Sequence, residues 1–184
     1  MQNKLRIIGG LWRSRQLHFV DAPGLRPTPA RVRETLFNWL QMDIVGTRCL
    51  DLYAGSGALG FEAASRGAKA VTQVEQEISA CQSLQQNAQA LSAQQVTIVQ
   101  KDVMRFLAGT AEIYDIAFVD PPFGRGLVMP TCQSLEQQGW LGKYAKIYVE
   151  TERQLDLTGM PDNWQCLKNK SAGEVAYRLF SRAL

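Results

Sequence analysis

Cys49-Leu50-Asp51-Leu52-Tyr53 runs without a break into Ala54-Gly55-Ser56-Gly57-Ala58-Leu59-Gly60, and no other stretch says as much about the architecture. The first five residues predict a short buried strand. Gly55, Gly57 and Gly60 then follow at G-x-G-x-x-G spacing and open a helix. Glycines at those steps allow a tight turn and let a ligand approach the backbone closely. Dinucleotide-binding domains share this pattern, so the glycines alone are ambiguous. Asp51 helps to separate the cases. A pyrophosphate resting on a helix N-terminus wants no anion beside it, whereas a ligand with a cationic group does. Tyr53, Ala54 and Ser56 complete the turn that would border the ligand.

Strands and helices alternate from Gly46 onward. Strands are expected over Arg48–Tyr53, Ala70–Glu75, Val96–Lys101, Tyr114–Asp120 and Lys146–Glu150. Helices are expected over Ala58–Ser65, Glu77–Leu91, Asp102–Leu107 and Pro130–Gln138. Short apolar strands alternating with helices imply a parallel sheet covered on both faces. The chain then breaks that rhythm: Trp164–Lys170 and Glu174–Ser181 flank Ser171-Ala172-Gly173 and read as an antiparallel hairpin. Upstream, Leu5–Ile8 and Gln16–Val20 read as two strands around Gly9-Gly10, followed by a turn-rich loop, Asp21-Ala22-Pro23-Gly24. Thr28 and Pro29 then read as the N-cap and first residue of a helix whose apolar face is Val32, Leu36, Trp39 and Leu40. Two units are expected, a basic hairpin extension over residues 1–27 and an α/β domain over 28–184.

The chemistry is carried by Asp120-Pro121-Pro122-Phe123, which closes the run Tyr114–Val119. Each proline fixes its φ and lacks an N–H, so the chain leaves the sheet as a stiff extended loop. Open α/β sheets bind ligands at this carboxyl end of their strands. A carboxylate, a proline carbonyl and an aromatic face held together suit a planar heterocycle with an exocyclic amine. Glu75, at the end of the second strand, is placed to accept hydrogen bonds from ribose hydroxyls. Asp102, after the third, lies where S-adenosylmethionine-dependent methyltransferases, which this order of elements resembles, commonly use an acid to bind the adenine amine, with Gln76 and Val103 expected to line the slot.

Composition narrows the partners. The 184 residues are 46% apolar and 20% charged, as expected of a globular domain. No apolar stretch approaches the roughly 20 residues of a membrane span, and the opening Met1–Arg6 lacks the core of a signal peptide. Cys49, Cys81, Cys132 and Cys166 are scattered with no CxxC pair, and His18 is the only histidine, which leaves no zinc site of the usual spacings. Reduced thiols in a cytoplasmic protein are expected. The net charge of +3 is uneven: residues 1–33 carry seven cations against Asp21, a net of +6, and the rest carry 13 basic and 16 acidic groups. Six of the seven are arginines, whose planar fork matches phosphate oxygens, so this segment is expected to contact nucleic acid.

The order of five βα units and a terminal antiparallel pair resembles S-adenosylmethionine-dependent methyltransferases: a Rossmann-like fold with a seven-stranded mixed sheet, here with an N-terminal β-hairpin added. More specific blocks resemble the bacterial methyltransferases that modify the N2 amine of a guanine in small-subunit ribosomal RNA. They are Arg6-Ile7-Ile8-Gly9-Gly10 with Trp12-Arg13, Gly24-Leu25-Arg26-Pro27-Thr28, Arg31–Leu40, the glycine turn, Asp120–Phe123, and Val175-Ala176-Tyr177-Arg178-Leu179. The resemblance implies S-adenosylmethionine as cofactor, no metal, and a monomer acting on an assembled or assembling 30S particle. It implies that Arg6, Arg13 and Arg15 grip RNA, that the segment with Arg26, Arg31 and Arg33 covers the mouth of the site, and that Arg125 meets a phosphate beside a flipped base. Two rivals share parts of the pattern. A DNA adenine-N6 methyltransferase would use Asp-Pro-Pro-aromatic but usually carries a target-recognition insert, which this chain lacks. A nucleotide-binding dehydrogenase would use the glycines but would need neither Asp51 nor Asp120–Phe123.

Overall fold

In a computed structural model, which describes residues 2–20 and 27–183, the alternation becomes one sheet between two helical layers. A separate ribbon precedes it: β1 (Gln2–Arg6) pairs antiparallel with β2 (Gln16–Val20). Then come α1 (Ala30–Trp39), β3 (Arg48–Leu52), α2 (Ala58–Ser65), β4 (Ala70–Glu75), α3 (Ile78–Ala90), β5 (Val96–Gln100) and α4 (Val103–Leu107). The chain ends with β6 (Tyr114–Val119), α5 (Val128–Gln137), β7 (Leu141–Glu152), β8 (Trp164–Ala172) and β9 (Val175–Arg182). The sheet order is β5-β4-β3-β6-β7-β9-β8. The first five strands run parallel, and β9 enters antiparallel between β7 and β8.

The two faces are filled differently. One buries Phe37 of α1, Phe61 of α2 and Leu84 of α3 with Leu17 of the ribbon against Phe118 and Tyr148 of the sheet. The other buries Leu107 of α4 and Cys132 and Leu135 of α5 against Leu50, Leu52, Val119 and Ile147. Neighbouring residues of one strand therefore serve opposite cores, as the two-residue period of a strand requires. Among the described residues no helix is long and apolar enough to cross a membrane.

Two expected boundaries move for physical reasons. The first strand stops at Arg6 rather than Ile8, because the amides of Ile8 and Gly9 turn to donate to the Glu62 carboxylate of α2 at 2.9 and 2.8 Å. Gly10, at φ +78°, lies so close to α2 that a Cβ there would fall 1.9 Å from the Ser65 carbonyl oxygen. The strand expected over Lys146–Glu150 runs from Leu141 to Glu152, with a register irregularity against β6 and Tyr144 at φ +62°.

Candidate active site

The glycine turn is held from beneath by Asp51. One of its carboxylate oxygens accepts the Gly60 amide at 2.9 Å and the Gln73 side-chain amide at 3.2 Å. Gly60 is required at this contact, since a Cβ there would fall 2.4 Å from Gln73 Nε2 and 2.8 Å from Asp51 Oδ2. Gly57, the N-cap of α2 at φ +77°, is left-handed, and a Cβ there would meet Leu84 at 2.5 Å. Ser56 is buried in the turn, and Ala54 donates its amide to the Val74 carbonyl. Tyr53 takes φ +63°, rare for a bulky residue, and sends its hydroxyl to Thr131 at 2.7 Å on the α5 side. Burial pushes the Asp51 carboxyl up to about 7 against the pull of those hydrogen bonds.

The neighbouring strand ends supply more acceptors. Glu75 takes the Gly55 amide on one oxygen at 2.8 Å and the amides of Gln76 and Glu77 on the other at 2.8 and 2.9 Å. Asp102 is the N-cap of α4, with Oδ1 accepting the Arg105 amide at 2.9 Å. Val103 faces the α4–α5 core, whereas Gln76 is exposed. None of Asp51, Glu75 and Asp102 pairs with a cation among the described residues, and no group there is arranged to hold a metal ion. These acceptors fit a ligand rich in donors (an amino group, ribose hydroxyls, an exocyclic amine) and do not fit a pyrophosphate. The buried Gln73 Oε1, which has no partner among the described residues, leaves one more acceptor under the turn.

Asp120 leaves β6 one strand away. Pro121 is buried behind it, while Pro122 is exposed and Phe123 is 43% exposed, so the aromatic face is open to a ligand. Thr28 does not cap α1. The helix begins at Ala30 with the extended Pro29 (ψ 147°) as its N-cap, and the Thr28 hydroxyl donates to Asp120 Oδ2 at 3.3 Å instead. Glu150 emerges beside Asp120, one position beyond the paired Val119 and Val149, and is buried. Thr28, read as a helix cap, Glu150, read as a strand end, and Gln73 were not identified from the sequence as site residues. Only Gln73 signalled itself, as a polar residue inside an apolar strand.

The basic residues divide. Lys4, Arg6, Arg13, Arg31 and Arg125 are exposed. Lys4, Arg6 and Arg13 line a groove of about 580 Å³ between the ribbon and the start of α1, which Thr28 and Pro29 also border. Arg33 borders the same groove but is 3% exposed, donates to the carbonyls of Thr28 and Arg6 at 3.1 and 3.0 Å, and lies 3.6 Å from Glu62, so its guanidinium is already engaged within the chain. Arg15 is exposed but donates to the Ala90 carbonyl at 2.9 Å, at the end of α3 remote from Glu75. Arg26 and the expected loop at Asp21–Gly24 lie outside the described residues.

Residues 5–181 match the family described as Conserved hypothetical protein 95. The chain is 50% identical over 179 residues to the ribosomal RNA small subunit methyltransferase D of Escherichia coli, covering 97% of this chain and 90% of that one. A solved Escherichia coli protein superposes with a TM-score of 0.89 at 49% identity, covering 98% of this chain and 99% of its own. A 16S rRNA N2 methyltransferase of Thermus thermophilus, solved with AdoMet and guanosine, superposes with a TM-score of 0.76 at 25% identity, covering all of this chain (100%) and 50% of its own.

Proposed function

Because the chain belongs to the Conserved hypothetical protein 95 family, with the class I methyltransferase fold and with small-subunit rRNA methyltransferases among its relatives, we propose that it is an S-adenosylmethionine-dependent enzyme that methylates the exocyclic N2 amine of a guanine in small-subunit rRNA. The observation that carries this reading is the placement of Asp120 and the open Phe123 face one strand from an acceptor-lined glycine turn. When bound, S-adenosylmethionine supplies an electrophilic methyl on a sulfonium sulfur. Asp51 and the backbone of Gly55–Gly57 would hold its amino-acid part, Glu75 its ribose and Asp102 its adenine amine. Phe123 stacks the target base, a contact worth about 1–3 kcal/mol. Asp120 and the Pro121 carbonyl accept from the amine and turn its lone pair outward. Alignment of amine and methyl then supplies much of the acceleration.

The RNA side of the reading rests on the exposed Lys4, Arg6 and Arg13 of the groove, with Arg31 and Arg125 nearer the site mouth. A guanine in a helix must leave its stack to reach Asp120, so the substrate is an extrudable base, in an assembling or complete 30S particle. The enzyme works there as a cytoplasmic monomer. The test is transfer of a labelled methyl to small-subunit particles and to free rRNA, with mass mapping of the product. The label should map to N2 of one guanine. Asp120→Ala should lower transfer by roughly 100-fold or more and leave cofactor affinity nearly unchanged. A label on another atom, or an equal loss of cofactor binding, would overturn the assignment.

A further inference from the structure

Asp120 and Glu150 leave adjacent parallel strands side by side, directed to the same face as Phe118 and Tyr148, whose rings lie 6.5 Å apart. Neither carboxyl meets a cation among the described residues. The groups facing them are the Thr28 hydroxyl on Asp120, Asp51 from β3, Tyr148 from β7 and Tyr177, which lies opposite Glu150 on β9. The fully buried Tyr148 donates its hydroxyl to Glu150 Oε2 at 2.9 Å. Glu150 therefore has a donor that favours its charged form, built into the core. Among the described residues Asp120 has only the longer Thr28 contact.

We propose that Glu150 is a positioning residue for the reaction: its charge, anchored by Tyr148, converts Asp120 from a simple acceptor into the base that takes the amine's proton. This rests on Asp120 being the residue that holds the amine. The nitrogen lone pair forms the new N–C bond while the C–S pair leaves with sulfur, and the proton displaced from nitrogen goes to Asp120. A general base works best when its proton affinity suits the working pH, so a carboxyl raised above the ordinary aspartate range is the better acceptor during the transfer. Burial raises the Asp120 carboxyl well above the usual carboxylate range, and the Glu150 charge raises it further. Burial raises Glu150 as well, but the Tyr148 hydroxyl favours its charged form at 2.9 Å whereas Thr28 reaches Asp120 at 3.3 Å, so Asp120 is the member that takes the proton.

The test has two readouts. In the ligand-free protein, infrared or carbon NMR titration of labelled aspartate carboxyls should find Asp120 raised, and Glu150→Gln should lower its midpoint by about one pH unit or more. In single-turnover transfer to small-subunit particles, the acid limb of the pH profile should move down by a similar amount. The plateau should fall about tenfold, as expected of a weaker base, with cofactor affinity unchanged. Tyr148→Phe, which frees Glu150 to become neutral, should shift both in the same direction but less. An Asp120 midpoint unmoved in both variants would overturn the proposal, as would a rate loss with no movement of the limb. A shifted midpoint in a protein that transfers no methyl to rRNA would uphold the pair and overturn the substrate reading instead.

Discussion

Arg33 and Glu62 are as deeply buried as Asp51, at 3%, 0% and 2% exposed, yet the two regions treat charge in opposite ways. On the hairpin side the buried charges are answered. Glu62 accepts from Ile8, Gly9 and Arg66 and lies near Arg33, which itself donates to Arg6 and Thr28. At the strand ends, Asp51, Asp120 and Glu150 share hydrogen bonds from neutral groups and meet no cation among the described residues. The contrast separates buried charges that are architecture from those that await a ligand. A carboxylate with its cation supplied by the chain holds elements together, and one without it holds part of the fold's stability in reserve for binding.

Glu62 is where this contrast can be tested most severely. Glu62→Ala should destabilise the protein by roughly 3–5 kcal/mol, because it strands a buried guanidinium and two backbone amides. Urea unfolding measures it. Replacing the pair together, Arg33→Met with Glu62→Leu, should recover part of this loss, since an apolar pair leaves no buried charge. Full recovery is not expected, as Ile8 and Gly9 still lose their acceptor. A change under about 1 kcal/mol in Glu62→Ala would erase the distinction between the two regions.

Asp51→Asn should do the reverse. The native carboxyl sits near 7 against an unperturbed 3.8, so the folded state binds the proton more tightly than the unfolded chain. Stability must then fall as pH rises through that window, because the unfolded state is the less protonated one. The amide removes this penalty and still presents an oxygen to Gly60. The ligand-free variant should gain about 1–4 kcal/mol at pH 8, with the gain fading as pH drops from 7 toward 4, while cofactor affinity falls. Thermal melts across pH with and without S-adenosylmethionine decide it. A variant no more stable than the parent at pH 8 would mean that Asp51 is already compensated.

Much of this was legible in sequence, and the rest was hidden for a definite reason. Short apolar strands, the glycine turn and Asp120–Phe123 are local signals, and they led directly to β3, α2 and the end of β6. Arg33 lies in the first turn of α1, where a cation opposes the helix dipole. The anion the structure sets beside it is Glu62, 29 positions away. Thr28 likewise reads as a cap by local rules, and only the packing of α1 over β6 offers its hydroxyl to Asp120 instead. Glu150 looks like the polar end of an ordinary strand until the register of β6 and β7 sets it beside Asp120. Periodicity reports which way a side chain faces, but the partner it finds there is a tertiary fact.

The smallest stability effect belongs to the exposed cations, which probe the same contrast from the solvent side. Arg6 and Arg13 are exposed on the groove and have no ion pair among the described residues. Arg6→Ala with Arg13→Ala should therefore change stability by less than about 0.5 kcal/mol, as surface substitutions do. Every arginine taken off a phosphate should lower the steepness of RNA binding against log salt by roughly 0.7–0.9, so the double variant should flatten it by about 1.5. Arg33→Ala gives the opposite signature, a large loss of stability without a salt-linked change in affinity once the folded fraction is counted. If the double variant kept the parent's salt dependence, the groove would not be the phosphate surface, and Arg31 and Arg125 near the site mouth would have to carry the RNA.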